Sequence, residues 1–205
     1  MRSKIVVTLW LILVYRFGTH IVLPGINPAG LGALKDSTNN NGMLGLLDAF
    51  AGGAFSRASI LTLGVMPYIS ASIFMQLVTI LVPQMAKVQK EGESGRKKIN
   101  SWTRYLTVVV TIFQAGAYVT FLKTSYAPAI LQAYAPYFLV STIIILTAGT
   151  LFVMWLGEKI QDKGLGNGTS IIIMIGILGR LPESFMQEIS AKYNKGGGGL
   201  LIMLV

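Results

Sequence analysis

The sequence has 205 residues, 53% of them hydrophobic and 12% charged, about half the charged share of ordinary soluble domains. Its 17 Lys and Arg against 8 Asp and Glu give a net charge of +9. The basic residues gather between apolar runs, a pattern of membrane topology rather than of a nucleic-acid surface. With no cysteine, disulfide and thiolate chemistry are excluded, and a single histidine, His20, leaves little for an imidazole-based active site.

A helix crosses about 30 Å of hydrocarbon with roughly 20 mostly apolar residues. In chain order, five segments are predicted to do so: 5–23, 58–82, 105–122, 137–156 and 169–185. The first carries Arg16 and His20, four apart on one helical face. Its length, its internal arginine and the lack of a small-residue cleavage site set it apart from a secretory signal. No acid stands in this span to complete a proton relay, so His20 is assigned a structural place near the outer interface. No function is assigned to Arg16. No charge occurs between residues 58 and 86. The third span is bracketed by Arg104 and Lys123, which suits snorkelling. The fifth is short unless it runs past Arg180 toward Phe185. Four glycines at 196–199 read as a flexible outer loop, and residues 200–205 as the start of a sixth span. The sequence therefore reads as part of a longer protein.

The segment between the second and third spans holds Lys87, Lys90, Arg96, Lys97, Lys98 and Arg104. By the positive-inside rule this loop is cytoplasmic, together with the Arg2/Lys4 end and the loop carrying Lys159 and Lys163. The N-terminus is inside.

Two segments break the simple pattern. Residues 44–55 are apolar and helix-like, but about 12 residues cannot span. Gly52 and Gly53 end the segment, and Asn39, Asn40, Asn41 and Gly42 before it read as an exposed outer loop. It is either an amphipathic helix on the outer surface or a half-length helix enclosed by protein or a water cavity. In the next span, Val65, Ile69, Ser72, Gln76 and Thr79 recur at four, three, four and three residues, on one face. That face turns from branched aliphatic to polar along its length, which suits either a constriction opening into a water-filled funnel or packing against other helices. Pro67 is predicted to bend this helix. Gln114, mid-span, has either an interhelical hydrogen bond or a seam between helices as its partner.

A secondary transporter would need a midplane ionisable residue, which the second and fourth spans lack. An intramembrane enzyme would need paired acids, a serine–histidine pair or metal ligands, and all eight acids lie in loops, at span ends or in the short segment. Gly164-Leu-Gly-Asn-Gly168 follows a transmembrane helix and lacks the lysine–serine pair of a phosphate loop, so it reads as a tight cytoplasmic turn. Neither an enzyme nor a metal or cofactor site is expected.

Four motifs carry a resemblance. They are Phe55-Ser-Arg-Ala-Ser-Ile60 continuing through Leu63-Gly-Val-Met-Pro-Tyr-Ile-Ser-Ala-Ser-Ile73; Lys90-Glu-Gly-Glu-Ser-Gly-Arg-Lys-Lys-Ile99; Met154-Trp-Leu-Gly-Glu158 with Lys163-Gly-Leu-Gly-Asn-Gly-Thr-Ser170; and Pro24-Gly-Ile26. In order and spacing they resemble the SecY family of protein-conducting channels. The resemblance implies an all-α membrane protein: residues 1–199 as the N-terminal half of an inverted-repeat clamshell, and 200–205 opening the next span. It implies that residues 44–55, with Leu44, Leu47, Asp48, Phe50, Gly52 and Gly53, form a plug. Val65, Ile69 and Ile173 would belong to an aliphatic pore ring, with Thr169 where another bulky aliphatic is expected. The second and third spans would form this half's side of a lateral gate, with Ser70, Ser72, Gln76 and Gln114 on it. Arg96, Lys97, Lys98 and Arg104 would meet cytoplasmic partners, a SecA-like motor ATPase or a translating ribosome. Further implied partners are small SecE-like and SecG-like membrane subunits, signal-bearing polypeptides and lipid, with no nucleic-acid function beyond ribosome contact. The implied location is the bacterial plasma membrane.

Overall fold

A computed structural model describes residues 2–40, 42–131, 136–164 and 166–182, with 185, 186 and 189 beyond them. The glycines at 196–199 and the opening of the sixth span lie outside the described residues. Among the described residues eight α-helices are delimited, in order: α1 Arg2–Gly18, α2 Gly32–Asn40, α3 Gly42–Phe50, α4 Met66–Leu81, α5 Pro83–Lys90, α6 Glu93–Ser125, α7 Phe138–Lys163 and α8 Gly168–Leu178. The protein is an all-helical membrane protein. By length and composition α6 and α7 can each cross a bilayer, while α4 and α5 form a pair bent by 104°.

Several boundaries differ from expectation, for identifiable reasons. The second span is helical only from Met66. Residues 51–65 run as consecutive turns, with Gly52, Gly53, Ala58 and Gly64 all at positive φ. Pro67 therefore stands in the first turn of α4 and starts the helix instead of bending it, the position where its missing N–H costs least. The sharp bend falls at Pro83, where α5 turns away. The Asn39–Asn40 pair ends α2, so the outer loop expected there is a helical hairpin. Gly45 lets α3 lie close on α2, since a Cβ there would stand 2.8 Å from the Thr38 carbonyl oxygen. The basic run expected as a loop instead forms the first turns of α6, whose 33 residues extend about 50 Å and so project past the hydrocarbon. The described helix of the fifth span, α8, has 11 residues.

Small residues let the helices approach. Thr103, Thr107, Thr111 and Ala115 make a buried stripe down α6, and each threonine hydroxyl donates to the carbonyl four residues earlier at 2.6–2.9 Å. The hydroxyls are thereby satisfied without a partner helix, leaving a small, polar-neutral surface for packing. On α7, Gly149 and Gly157 let neighbouring segments approach, while the buried Thr150 hydroxyl has no hydrogen-bond partner among the described residues. Large side chains such as Leu9, Trp10 and Phe17 of α1 stay exposed, as a lipid-facing surface allows. Two cores result. One, around Leu23, Leu34, Leu122 and Phe138, closes one end, and the other joins Tyr15, Leu61, Leu156, Ile160 and Ile172 between α1, α7 and α8.

Candidate functional site

Residues 51–65 fold inward among the longer helices, and α3 before them buries Asp48 while leaving Met43 and Leu46 exposed. A non-helical stretch at such depth must satisfy its polar backbone within the protein, and this one does. Leu23 N–H donates to the Ala58 oxygen and Ile60 N–H to the Ile21 oxygen, each at 2.9 Å, while Ser59 N–H donates to the Ala54 oxygen at 3.0 Å. On α3, Leu44 and Leu47 line a cavity of about 320 Å³ with Phe55, Met66, Gln114 and Phe121. Asp48 is fully buried, Phe50 is 38% exposed, and the helix ends there rather than at 55.

Fastenings to three different helices hold this segment. One Asp48 oxygen accepts the Ser56 N–H at 2.8 Å, and the other pairs with the guanidinium of Arg180, just beyond α8. From α1, Arg16 donates to the Gly52 oxygen at 3.4 Å and the Tyr15 hydroxyl to the Ala51 oxygen at 3.5 Å. From α6, the Tyr118 hydroxyl donates to the Phe55 oxygen at 3.1 Å, and its ring stacks edge-on against Phe55. Gly52 adopts φ +65° with its Cβ position 3.1 Å from the Gly176 Cα, so glycine is required twice over. Tyr118→Phe should lower stability by about 1 kcal/mol, because the ring contacts remain while the Phe55 carbonyl loses its donor. A melting temperature equal to that of the native protein in detergent would show that this hydrogen bond is not formed.

Periodicity did not single out Tyr15, Tyr118 or Gly176. Arg16 and Arg180 were visible as charges in apolar stretches, a signal of hidden partners. Their partners lie 36 and 132 residues away along the chain, beyond the reach of local pattern. His20 sits at the same end, its Nδ1 2.9 Å from the Arg16 carbonyl and its Nε2 3.0 Å from an Arg57 guanidinium nitrogen. The Nδ1–H tautomer satisfies both, donating to one and accepting from the other.

Ile69, Thr169 and Ile173 line a second cavity of about 330 Å³, together with Ser72, Gln76 and Tyr68. Val65 lies behind it, 3% exposed in the core of Tyr15, Leu61 and Ile172, against which Ile69 and Ile173 also pack. The face read from the sequence is thus largely brought together, apolar near Ile69 and polar near Gln76, whose amide donates to the Ser72 hydroxyl at 3.5 Å. Thr79, at the edge of that face, is buried. Asn167 caps α8, accepting the N–H groups of Thr169 at 3.1 Å and Ser170 at 3.3 Å. A Cβ on Gly168 would stand 1.8 Å from the Gly157 carbonyl oxygen. This close approach of α8 to α7 places Thr169 and Ile173 opposite Ile69.

Gln114 shares the first cavity with Met66, whose carbonyl takes the hydroxyl of the exposed Ser70 at 3.1 Å. At the far end, Lys97 pairs with Glu93 at 3.4 Å and Lys98 with Glu91 at 3.2 Å. Both pairs are well exposed and worth at most about 1 kcal/mol. Arg104 pairs with Glu158 at 2.8 Å and ties α6 to α7. The C-terminus of α7 lies against Thr8 near the start of α1, since a Cβ on Gly164 would fall 2.4 Å from the Thr8 hydroxyl. The Arg2/Lys4, Arg96–Arg104 and Lys159/Lys163 groups therefore share one end of the molecule.

Fold and site together define a multi-helix membrane protein with an irregular, internally hydrogen-bonded stretch buried among its spans and a half-length helix packed beside it. The family model for SecY matches residues 59–205. Relatives include the protein translocase subunit SecY of Buchnera aphidicola, 43% identical over 190 residues, covering 92% of this chain and 43% of that protein. That of Pseudomonas aeruginosa is 48% identical over 177 residues, 86% of this chain and 39% of the relative. That of Vibrio cholerae is 40% identical over 205 residues, 100% of this chain and 46% of the relative. The chain belongs to the SecY family. It spans less than half the length of these relatives.

Proposed function

We propose that the chain is the first half of the central subunit of a protein-conducting channel, passing unfolded secretory polypeptides across a bacterial plasma membrane and releasing apolar segments sideways into lipid. The observation that carries this reading is the stretch 42–65, too short and too irregular to span, with its turns 51–65 packed among the longer helices and Asp48 of α3 buried beside them. In this reading α3 and the Gly52–Gly53 turn are the plug, and Ile69 and Ile173, backed by Val65 and joined by Thr169, are this half's share of the constriction. An aliphatic ring excludes ions by dewetting without a charged filter, and it offers a passing chain no sticky polar contacts. Thr169 is smaller and more polar than a branched aliphatic residue, which makes the seal looser on its side.

The edges of α4 and α6, with Ser70, Ser72, Gln76 and Gln114 nearby, form the side of a lateral gate. A signal helix leaves through it because burial in lipid is worth about 25 cal/mol per Å² of apolar surface. The common end of the basic groups is cytoplasmic, with the N-terminus inside. There Arg96, Lys97 and Lys98 project on α6 toward a motor ATPase or ribosome, and small membrane subunits complete the channel.

The test is crosslinking of a stalled secretory chain in the full-length protein, with photoreactive probes at Val65, Ile69 and Ile173. Crosslinks at these positions, lost when the signal sequence is deleted, are expected. Silence there, while a probe at the exposed Ile144 labels lipid, would sink the conduit reading.

A further inference from the structure

We infer that Asp48 and Arg180 form a charge latch that holds the plug closed and so sets how apolar a signal must be to open the channel. Arg16 acts as a second fastening. The inference rests on the plug reading above.

Asp48 is the one acid in the segment, and it is 0% exposed. Its carboxylate reaches out of the plug to a guanidinium at the end of α8, whose side chain is 12% exposed. Arg16 lies in the same place: it donates to the Gly52 carbonyl, and a Cβ on Gly179 would overlap its guanidinium. Arg57 stands over Gly53, with a guanidinium nitrogen 2.7 Å from where a Cβ would be. Three cations therefore stand around the glycine turn, and Arg180 among them pairs with the carboxylate.

A buried pair that served only to staple the fold would be saturated on both sides, since each bare polar atom costs free energy. Among the described residues this pair is saturated on one side alone. The carboxylate uses both oxygens, but Arg180 Nε is buried and has no hydrogen-bond partner among the described residues. When the plug swings out, both charges and that bare N–H regain water. Of the contacts that hold the closed state, this one is directional and charged, and the open state repays part of its loss. Such a pair is poised to break, and the apolar burial of an arriving signal is what tips it.

Asp48→Asn and Arg180→Gln in the full-length protein should each raise the open fraction at rest by about a hundredfold, because each leaves a buried partner unpaired. The readouts are ion conductance in planar bilayers and export of a reporter with a weakened signal sequence. The double variant Asp48→Asn/Arg180→Leu should return toward native conductance, since no charge remains buried alone. If a single variant does not accumulate in the membrane, Arg180→Lys keeps the charge, loses the planar fork and should show a smaller leak. Native conductance in the singles, or a double variant as leaky as both singles combined, would overturn the latch. Photoprobe crosslinks at Ile69 and Ile173 read the underlying proposal separately. Crosslinks with unchanged conductance reject the latch alone, and missing crosslinks reject the pore reading and the latch with it.

Discussion

Gly149→Leu is expected to destabilise the protein by about 3 kcal/mol, the upper part of the range for overpacking a closed core. A Cβ at Gly149 would stand 2.2 Å from the Ile60 carbonyl oxygen and 3.2 Å from the Leu61 Cδ2. The first obstacle is backbone, and it belongs to a stretch already pinned by the Ile60–Ile21 and Leu23–Ala58 hydrogen bonds. No rotamer relieves that clash; either α7 moves out or residues 58–65 unseat. Because those residues carry the plug into α4, the variant should also become protease-sensitive between 51 and 65. Gly149→Ala, which adds only the clashing Cβ, should cost less. Thermal unfolding in detergent with native midpoints for both variants would show that α7 and the turn segment are not in contact.

Leu61→Ala should cost about 2 kcal/mol. Leu61 is 2% exposed and belongs to the core with Tyr15, Val65 and Leu156. It fills the space opened by Gly18 and Gly149, whose Cβ positions fall 2.5 Å and 3.2 Å from its methyl groups. In water the loss would reach about 2–5 kcal/mol, the sum of transfer and cavity terms. In a membrane, segments that come apart remain in hydrocarbon, so most of the transfer term disappears and the cavity term is left. Unfolding midpoints would measure the loss. A value near 4 kcal/mol would show instead that Leu61 is exposed to water when the site comes apart.

What could be read from the sequence follows from which signals are local. Hydropathy located the apolar stretches, because the cost of burying charge in lipid acts on every residue of a span. The 3.6-residue period placed Ile69, Ser72 and Gln76 on one face, and they line one cavity. Hydropathy failed at residues 58–65, which are as apolar as a helix but not helical. Whether such a stretch coils depends on hydrogen-bond partners at Ile21 and Leu23, supplied from 35 or more residues away. The basic run at 96–98 failed in the opposite sense. Charge there signalled exposure, and α6 is exposed and helical at once, because it extends beyond the membrane. Pro67 was seen as a helix breaker, but a proline breaks or begins a helix depending on where the helix starts.

The amino-acid order alone determined that this is a helical membrane protein, which end carries its positive charge, and that residues 44–55 are apolar yet too short to span. Each of these is a property of one segment against its solvent. Only the tertiary structure decided that Asp48 and the Gly52–Gly53 turn of the short segment are buried, and what holds them there. From the sequence Asp48 was one acid in a short apolar segment with two possible settings, and the fold sets Arg180 beside it. A buried charge is tolerable only with its partner in place, and that partner is supplied by the fold.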